Sequence, residues 1–554
     1  MLFGNFWLAF LVLFFLPLAE SLHVTADIAD EQLRNVYDYI IVGGGTAGLT
    51  IANRLSENPA VSVLVLEAGP LDDARNLSIP GGLLPVPGTI GSGGWQKYQW
   101  GLTTEPQTYL SNQSVGIPQG KAVGGSSILN GLCWSRGSVS DYDGWENLGN
   151  KGWSWDDLLP YFKRVANVLD GFAELGLPII GDVNNGTAAG AMILPSSMHP
   201  DNQTRFDARE AHFDSASLSN GAHNSSQRVM GVEFAPNNKS KARSVPCTRE
   251  VIVSAGAIFT PTLLKVLGIG PSDVLKALDI SVKIDLPGVG YNLQDHPMVY
   301  ANYYYRNESY FTSGEITDDV YDEVAEAYIR NRTGPWTAPL INTVAFPSLR
   351  SATDDWKQFM NKSLGDNFPS NIPNSVKKGY EGQLAVAAQK TFSRGTVRPS
   401  SSSIFDLPKL DPRYCSDPID CEIIVLGLQM NTKLIQTNAM KELMPEAESA
   451  FDTTDHETLM KHAMEKITTE RHPSGTAAMM PLELGGVVDP ELKVYGTCKL
   501  RIADASIMPR FPSAHLQASV YAIAEKAADT IKSAKPDCRI GEWLPFPPRS
   551  RPTT

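Results

Sequence analysis

Three glycines at a fixed spacing carry the first chemistry legible in the sequence. Gly43, Gly45 and Gly48 stand in the run Gly43-Gly44-Gly45-Thr46-Ala47-Gly48. An apolar, β-rich run, Tyr37 to Val42, comes directly before it, and a helical pattern, Leu49 to Leu55, directly after. A second apolar run, Val61 to Leu66, ends in Glu67. Strand, glycine turn, helix, strand and acid follow in the order a dinucleotide site needs. Gly43 permits the tight turn, Gly45 lets a pyrophosphate approach the backbone, and Gly48 lets helix and strand pack closely. Thr46 and Ala47 open the helix, whose free N–H groups and positive dipole end suit phosphate. Glu67, about 20 residues past the last glycine, is placed to accept hydrogen bonds from ribose hydroxyls. The motif by itself does not choose between FAD and NAD.

Proton-transfer chemistry needs a group that titrates near neutral pH, and imidazole is the natural one. The chain has nine histidines. His23, His199, His212, His223, His456 and His462 lie in no recognisable pattern and take the ordinary reading of surface or packing residues. No Cys/His spacing resembles a zinc site, so no metal is expected.

Length and composition set the frame. At 554 residues the chain is too long for one simple core and suggests two intimate domains. With 42% hydrophobic and 19% charged residues it is globular, not disordered. Its net charge of −13, with no Lys/Arg run, makes nucleic acid and anionic membrane poor candidates for a partner.

The first residues point to secretion. Phe6 to Leu18 is an apolar run of signal-peptide length, too short for a stable membrane span, and Ala19-Glu20-Ser21 follows with small residues for cleavage. Residues 1–21 are therefore expected to be a signal peptide. Sequons stand at Asn76, Asn112, Asn185, Asn202, Asn224, Asn238, Asn307, Asn331 and Asn361. Each must lie on the surface if glycosylated. Six cysteines suit an oxidising compartment but are too sparse for a disulfide scaffold. Cys415 and Cys421 are close enough in sequence to pair, and Cys498 with Cys538 is a second option among the fifteen connectivities that six thiols allow.

Further segments carry a family resemblance. Gly120-Lys121-Ala122-Val123-Gly124-Gly125-Ser126-Ser127-Ile128-Leu129-Asn130, followed by Trp134, Gly137 and Asp143, resembles the first signature of the glucose–methanol–choline (GMC) oxidoreductases. Gly256 to Leu264 resembles the second, with a departure at Leu267, where the pattern has Ser. Gly288 to His296 and the block from His472 to Asp529 are also similar to the family. The resemblance spans nearly all of the mature chain and is nearest to the aryl-alcohol oxidase and patulin-synthase branch.

The resemblance implies FAD and an α/β fold: a Rossmann-like FAD-binding domain interleaved with an α+β substrate domain that carries an antiparallel sheet. It assembles the FAD domain from 36–165, 225–300 and 465–535, and the substrate domain from 165–225 and 300–465. Gly124 and Ser126 would let backbone N–H groups crowd against a flat cofactor, and the flavin would lie along Asn130, Gly131, Leu132 and Cys133. Asp504 and Ala505 match the stretch that holds ribityl and pyrophosphate, and Leu516 and Gln517 would lie close to the flavin. Leu129 stands where covalently flavinylated members carry His, so FAD is expected to be bound non-covalently.

The same resemblance implies the catalytic pair. His472, in Arg471-His472-Pro473-Ser474-Gly475-Thr476, and His515, in Pro512-Ser513-Ala514-His515-Leu516-Gln517, match the family's active-site positions. One imidazole takes the hydroxyl proton of an alcohol while hydride leaves its carbon for flavin N5, and the other fixes the alkoxide. His472 is the implied base and His515 the helper, with the roles exchangeable. His296, in Gln294-Asp295-His296-Pro297, is expected to order a loop near the flavin.

The implied function is a secreted alcohol oxidoreductase acting on a primary alcohol or hemiacetal of a small aromatic or polyketide-like molecule, in lignocellulose chemistry or secondary metabolism. Oxygen or another acceptor would re-oxidise it. Two other readings stay open: a hydroxynitrile lyase on the same fold, and a glycoprotein that has lost FAD. The second follows from a departure. Between Phe213 and Arg228 the family runs through a strand that contacts the adenine end of FAD, whereas here Ser215 to Gln227 is polar and lacks β-rich alternation. Looser FAD binding and a less stable sheet edge are expected there.

Overall fold

The structure is a computed structural model that describes residues 10–13, 33–71, 94–162, 184, 190–193, 196–198, 204–213, 231–235, 239–240, 242–305, 326–328, 330–331, 343–346, 380–435, 445–446 and 455–534. The elements that position the site are, in chain order, β1 (Phe10–Leu13), β2 (Tyr37–Val42), α1 (Thr46–Ser56), β3 (Val63–Leu66), β4 (Gly231–Ala235), β5 (Arg243–Val253) and α2 (Gly256–Val266). They continue with β6 (Pro297–Tyr305), β7 (Tyr380–Ala387), α3 (Pro418–Ile435), α4 (His456–Lys466), β8 (Leu500–Ile502) and α5 (Gln517–Ser533).

A parallel sheet runs β3–β2–β5–β8. β2 is buried along its whole length, because helices cover both faces of such a sheet. That explains why Tyr37 to Val42 is a continuous apolar run and not an alternating one. The eleven-residue β5 serves two layers. Its second half pairs in parallel with β2 and β8, and its first half pairs antiparallel with β4. α1 packs against α5, and a bidentate ion pair locks them: Arg54 Nε and NH2 lie 2.8 and 2.7 Å from the two oxygens of Glu525.

A separate antiparallel sheet is built on β6. β7 pairs along it from Ala387↔Met298 to Tyr380↔Tyr305. Thr468 and Thr469 pair with Met298 and Pro297 at the start of the same strand. α3 and α4 cover this sheet over a core that includes Val299, Ala301, Ile424, Leu428, Leu459 and Ala463. The architecture is thus mixed α/β with a parallel sheet and separate antiparallel sheets, the fold class the sequence implies.

The sheet edge expected to be less stable is paired in the full chain. β4 has β5 on one side and β1 on the other, with Phe10↔Ala235 to Leu13↔Val232 in register. β1 belongs to the segment read as a signal peptide, so cleavage after residue 21 and this pairing exclude one another. The polar run 215–227 lies outside the described residues.

Cys415 and Cys421 form a disulfide with 5.5 Å between their Cα atoms. Cys498 is also disulfide-bonded, and Cys538 lies outside the described residues. Cys133 and Cys247 are buried free thiols. Of the sequons, Asn112 and Asn331 are described, and both are exposed. Asn76, Asn185, Asn202, Asn224, Asn238, Asn307 and Asn361 lie outside the described residues. No helix among the described residues is long and apolar enough to cross a membrane.

Candidate active site

The glycine turn is packed so tightly that side chains are excluded. Gly43 has φ +106°, and a Cβ there would sit 2.3 Å from the carbonyl oxygen of Ser254. A Cβ on Gly48 would sit 1.9 Å from the Gly43 carbonyl oxygen. Gly45 caps α1 without a side chain, so the N–H groups of the first turn have no capping acceptor. Gly124 N–H donates to the Gly44 carbonyl at 2.9 Å, and a Cβ on Gly125 would sit 2.7 Å from Gly45 Cα. The two glycine segments therefore meet backbone to backbone at the mouth of α1.

Glu67 closes this corner. It accepts from Gly44 N–H at 2.7 Å and Gly69 N–H at 2.8 Å. Burial pushes its carboxyl up to about 7, against those two hydrogen bonds and the charge of Lys121. An uncapped helix end, a cradle that any Cβ would fill and an acid at the end of β3 together fit the diphosphate and ribose of a dinucleotide.

Asn130 organises the adjoining stretch. Its Nδ2 donates to Gln517 Oε1 at 2.6 Å, and its Oδ1 accepts from Leu132 N–H at 3.1 Å and from Arg205 at 2.8 Å. Leu132 is held at φ +67°, a left-handed conformation that non-glycine residues rarely adopt. Gly131 and Cys133 flank it, and Cys133 bridges to Ser196. Ser126 accepts from Gly120 N–H at 3.1 Å. Leu516, buried, leads into α5.

Asp504 plays a more internal part than the sequence suggested. Its carboxylate accepts from Ser506 N–H at 2.8 Å, Gly256 N–H at 2.9 Å and the Thr260 hydroxyl at 2.6 Å. Those bonds tie the Asp504 turn to the start of α2.

The histidines converge from three segments. His296 directly precedes β6, His472 follows the Thr468–Thr469 strand paired to β6, and His515 directly precedes Leu516 and α5. The rings of His472 and His515 are 5.5 Å apart and perpendicular, and those of His296 and His472 are 5.1 Å apart. Ser135 Oγ lies 3.2 Å from His515 Nδ1 and accepts from His515 N–H at 3.2 Å. His296 does more than order a loop: its Nδ1 meets His472 Nδ1 at 2.8 Å.

At the centre stands a residue the sequence analysis missed. Glu470 Oε2 lies 3.2 Å from His296 Nδ1 and 3.5 Å from His472 Nδ1, and its Oε1 lies 3.3 Å from His515 Nε2. Gln389 donates to Oε2 at 2.8 Å. An acid two residues before a candidate base was the only signal in the sequence. Donor atoms of His296, Glu470 and His472 lie within 4.8 Å of one another. His296 and His472 are hydrogen-bonded to each other and Glu470 lies beside both at ion-pair distance, so we read the group as side chains that serve one another.

Charge is divided unevenly across this cluster. Burial works against the Glu470 carboxylate, yet His472, His296 and His515 hold it well below the usual carboxylate range. Burial also disfavours the imidazolium of His515, but Cys133 and Glu470 carry it well above its usual value. His472 goes the other way, because burial outweighs the pull of Glu470. These directions favour charge on the Glu470 carboxylate and on His515, and an uncharged imidazole at His472, which keeps 15% of its side chain exposed.

The GMC oxidoreductase N-terminal model matches residues 37–171 and 166–298, and the C-terminal model matches 391–524. The chain belongs to the GMC oxidoreductase family. It is thereby a FAD-dependent oxidoreductase, and the nucleotide corner described above fits that cofactor. Dehydrogenase xptC of Emericella nidulans is 32% identical, over 93% of this chain and 96% of its own length. A FAD-dependent oxidoreductase from Chaetomium thermophilum superimposes with a TM-score of 0.78 at 30% identity, covering 90% of this chain and 99% of that one. A fungal aryl-alcohol oxidase superimposes with a TM-score of 0.75 at 28% identity, with coverage of 90% and 99%.

One buried carboxylate holds the GMC site's loops together. Asp295 accepts from the hydroxyls of Tyr414 and Thr469, from His296 N–H at 2.9 Å and from His472 N–H at 2.8 Å. Asp295→Asn turns an acceptor towards donors as an NH2 group. It is expected to cost about 2–4 kcal/mol of stability, measured by urea denaturation of the holoenzyme. An unchanged urea midpoint would show that Asp295 does not brace the loops.

Proposed function

We propose that this chain oxidises a primary alcohol or hemiacetal on a small aromatic or polyketide-derived molecule, with FAD held non-covalently. The observation that carries the reading is the pair of imidazoles His472 and His515, perpendicular and 5.5 Å apart. His472 Nε2 makes no hydrogen bond to any described residue, while Nδ1 is engaged by His296 and Glu470. Nε2 is therefore the nitrogen that takes the hydroxyl proton. The imidazolium of His515, oriented by Ser135, stabilises the charge growing on the alkoxide oxygen. Bound FAD would supply the acceptor for the hydride.

Leu129, in the place of the His that some members join to the flavin, supports non-covalent binding. The aryl-alcohol oxidase neighbour supports an aromatic alcohol as substrate and oxygen as acceptor. Secretion is supported by the apolar run at residues 6–18 and by exposed sequons at Asn112 and Asn331. Protein recovered from culture medium should begin near Leu22 and lose mass with an endoglycosidase. Recovery of an unglycosylated chain that still carries Phe10–Leu13 would contradict secretion.

The reaction is tested by anaerobic absorbance of the purified protein with a panel of primary alcohols. Flavin bands should bleach, and His472→Ala should slow the bleaching by about 10²–10⁴-fold. Near-normal reduction in that variant would remove His472 as the base. A yellow protein that never bleaches but cleaves a cyanohydrin would assign the lyase reaction, and a colourless folded one a glycoprotein without flavin. Return of the bands on admitting air would make the enzyme an oxidase.

A further inference from the structure

Alcohol oxidation needs one base and one group to steady the alkoxide, and two imidazoles suffice for that. Glu470 is surplus to such a scheme, and it is buried, with a side chain only 9% exposed. Burying a carboxylate is costly unless it is closely paired. Here it is paired three times, and two of the partners are His472 and His515 themselves.

We propose that Glu470 is a positioning residue of the catalytic pair, whose carboxylate fixes Nδ1 of His472 as the proton-bearing nitrogen and balances the charge on His515. This rests on the reading of His472 as the base. The argument is one of tautomers. A neutral imidazole carries its proton on one nitrogen only. A proton on Nε2 would aim an N–H at the substrate hydroxyl and disable the base. A proton on Nδ1 lies beside the Glu470 carboxylate, 3.5 Å from Oε2, and the 2.8 Å contact with His296 Nδ1 holds one proton, on either nitrogen. The carboxylate therefore favours the tautomer that leaves Nε2 open. It also attracts the imidazolium formed when Nε2 has taken a proton, as a buried carboxylate does behind the histidine of a hydrolase triad.

The charged and titratable groups facing this cluster are few. His296, ahead of β6, faces Glu470 and His472 and is sealed, with no partner on Nε2 among the described residues. Asp295 faces the backbone of His472 and is occupied by Tyr414 and Thr469. Cys133 and Ser135 face His515. Lys390, next to Gln389, pairs with Asp141 instead.

The sign of the pH effect follows. Glu470 raises the proton affinity of His472, against the stronger effect of burial. Removing its charge leaves burial less opposed, so the imidazolium becomes less stable and the base deprotonates at lower pH. In Glu470→Gln, the rising limb of the flavin-reduction rate against pH should move to lower pH. The plateau rate should fall at least about tenfold, because a weaker, unoriented base remains. Glu470→Asp keeps the charge and should hold the limb near that of the parent. A purely structural glutamate would change flavin content or melting temperature and leave the limb in place.

A second readout does not depend on turnover. Histidine 15N shifts in holoenzyme with labelled histidine, with His472→Asn used for assignment, report the tautomer directly. The parent should show His472 protonated on Nδ1 at neutral pH, and Glu470→Gln should lose that preference. His472 protonated on Nε2 in the parent, or a Glu470→Gln protein with unmoved shifts and an unmoved pH limb, would overturn the proposal. If no alcohol reduces the parent flavin, the proposed function fails while the 15N shifts still decide the role of Glu470.

Discussion

The buried carboxylate of Asp295 is the constraint on which the catalytic end depends. Its oxygens collect two backbone N–H groups and two hydroxyls from segments far apart in the chain. With Thr469 in register opposite Pro297, it brings the turn before β6 against the short strand that ends just before Glu470. Neither His296 nor His472 could hold a fixed position without that junction, because both lie in loops. Burial pushes the Asp295 carboxyl up, and its hydrogen bonds oppose the rise. A buried acceptor of this kind is worth most when every donor is satisfied, and it is costly when one is removed.

The nucleotide end is held by a different device, exclusion of side chains. Gly43, Gly48 and Gly125 let three backbones meet where α1 begins, and no other residue type fits there without moving the chain. α5 links the two ends. Its first residue, Gln517, bonds Asn130 beside the nucleotide corner, and His515 stands two residues earlier, bonded to Ser135. A shift of α5 would disturb both ends at once. Arg54–Glu525, joining α1 to α5, resists such a shift.

Much of this was legible in the sequence because the features are local. The strand, glycine turn and helix at 37–55 declare themselves through composition, and β2 is buried as its unbroken apolar run implies. The Cys415–Cys421 pair was readable from proximity alone. What could not be read are meetings between distant segments. Nothing near Glu470 in sequence indicates that three imidazoles surround it, and Asp295 resembles any loop acid until Tyr414 arrives from elsewhere. The partners of Asp504 were equally hidden: Gly256, Thr260 and Ser506 donate to its carboxylate, and two of them come from a segment far away in the chain. The pairing on the outer side of β4 was not legible from residues 215–227 either. β1 comes from the other end of the chain.

In the proposed reaction, His472 Nε2 takes a hydroxyl proton as a carbon–hydrogen bond breaks in the flavin-reducing step. The most direct measurement is anaerobic stopped-flow reduction of the holoenzyme by an aromatic primary alcohol carrying deuterium on the carbinol carbon. The account predicts severalfold slower flavin reduction than with the unlabelled alcohol. Reduction at the same rate with both alcohols would contradict it, because bond cleavage at that carbon would not be the event the histidines govern.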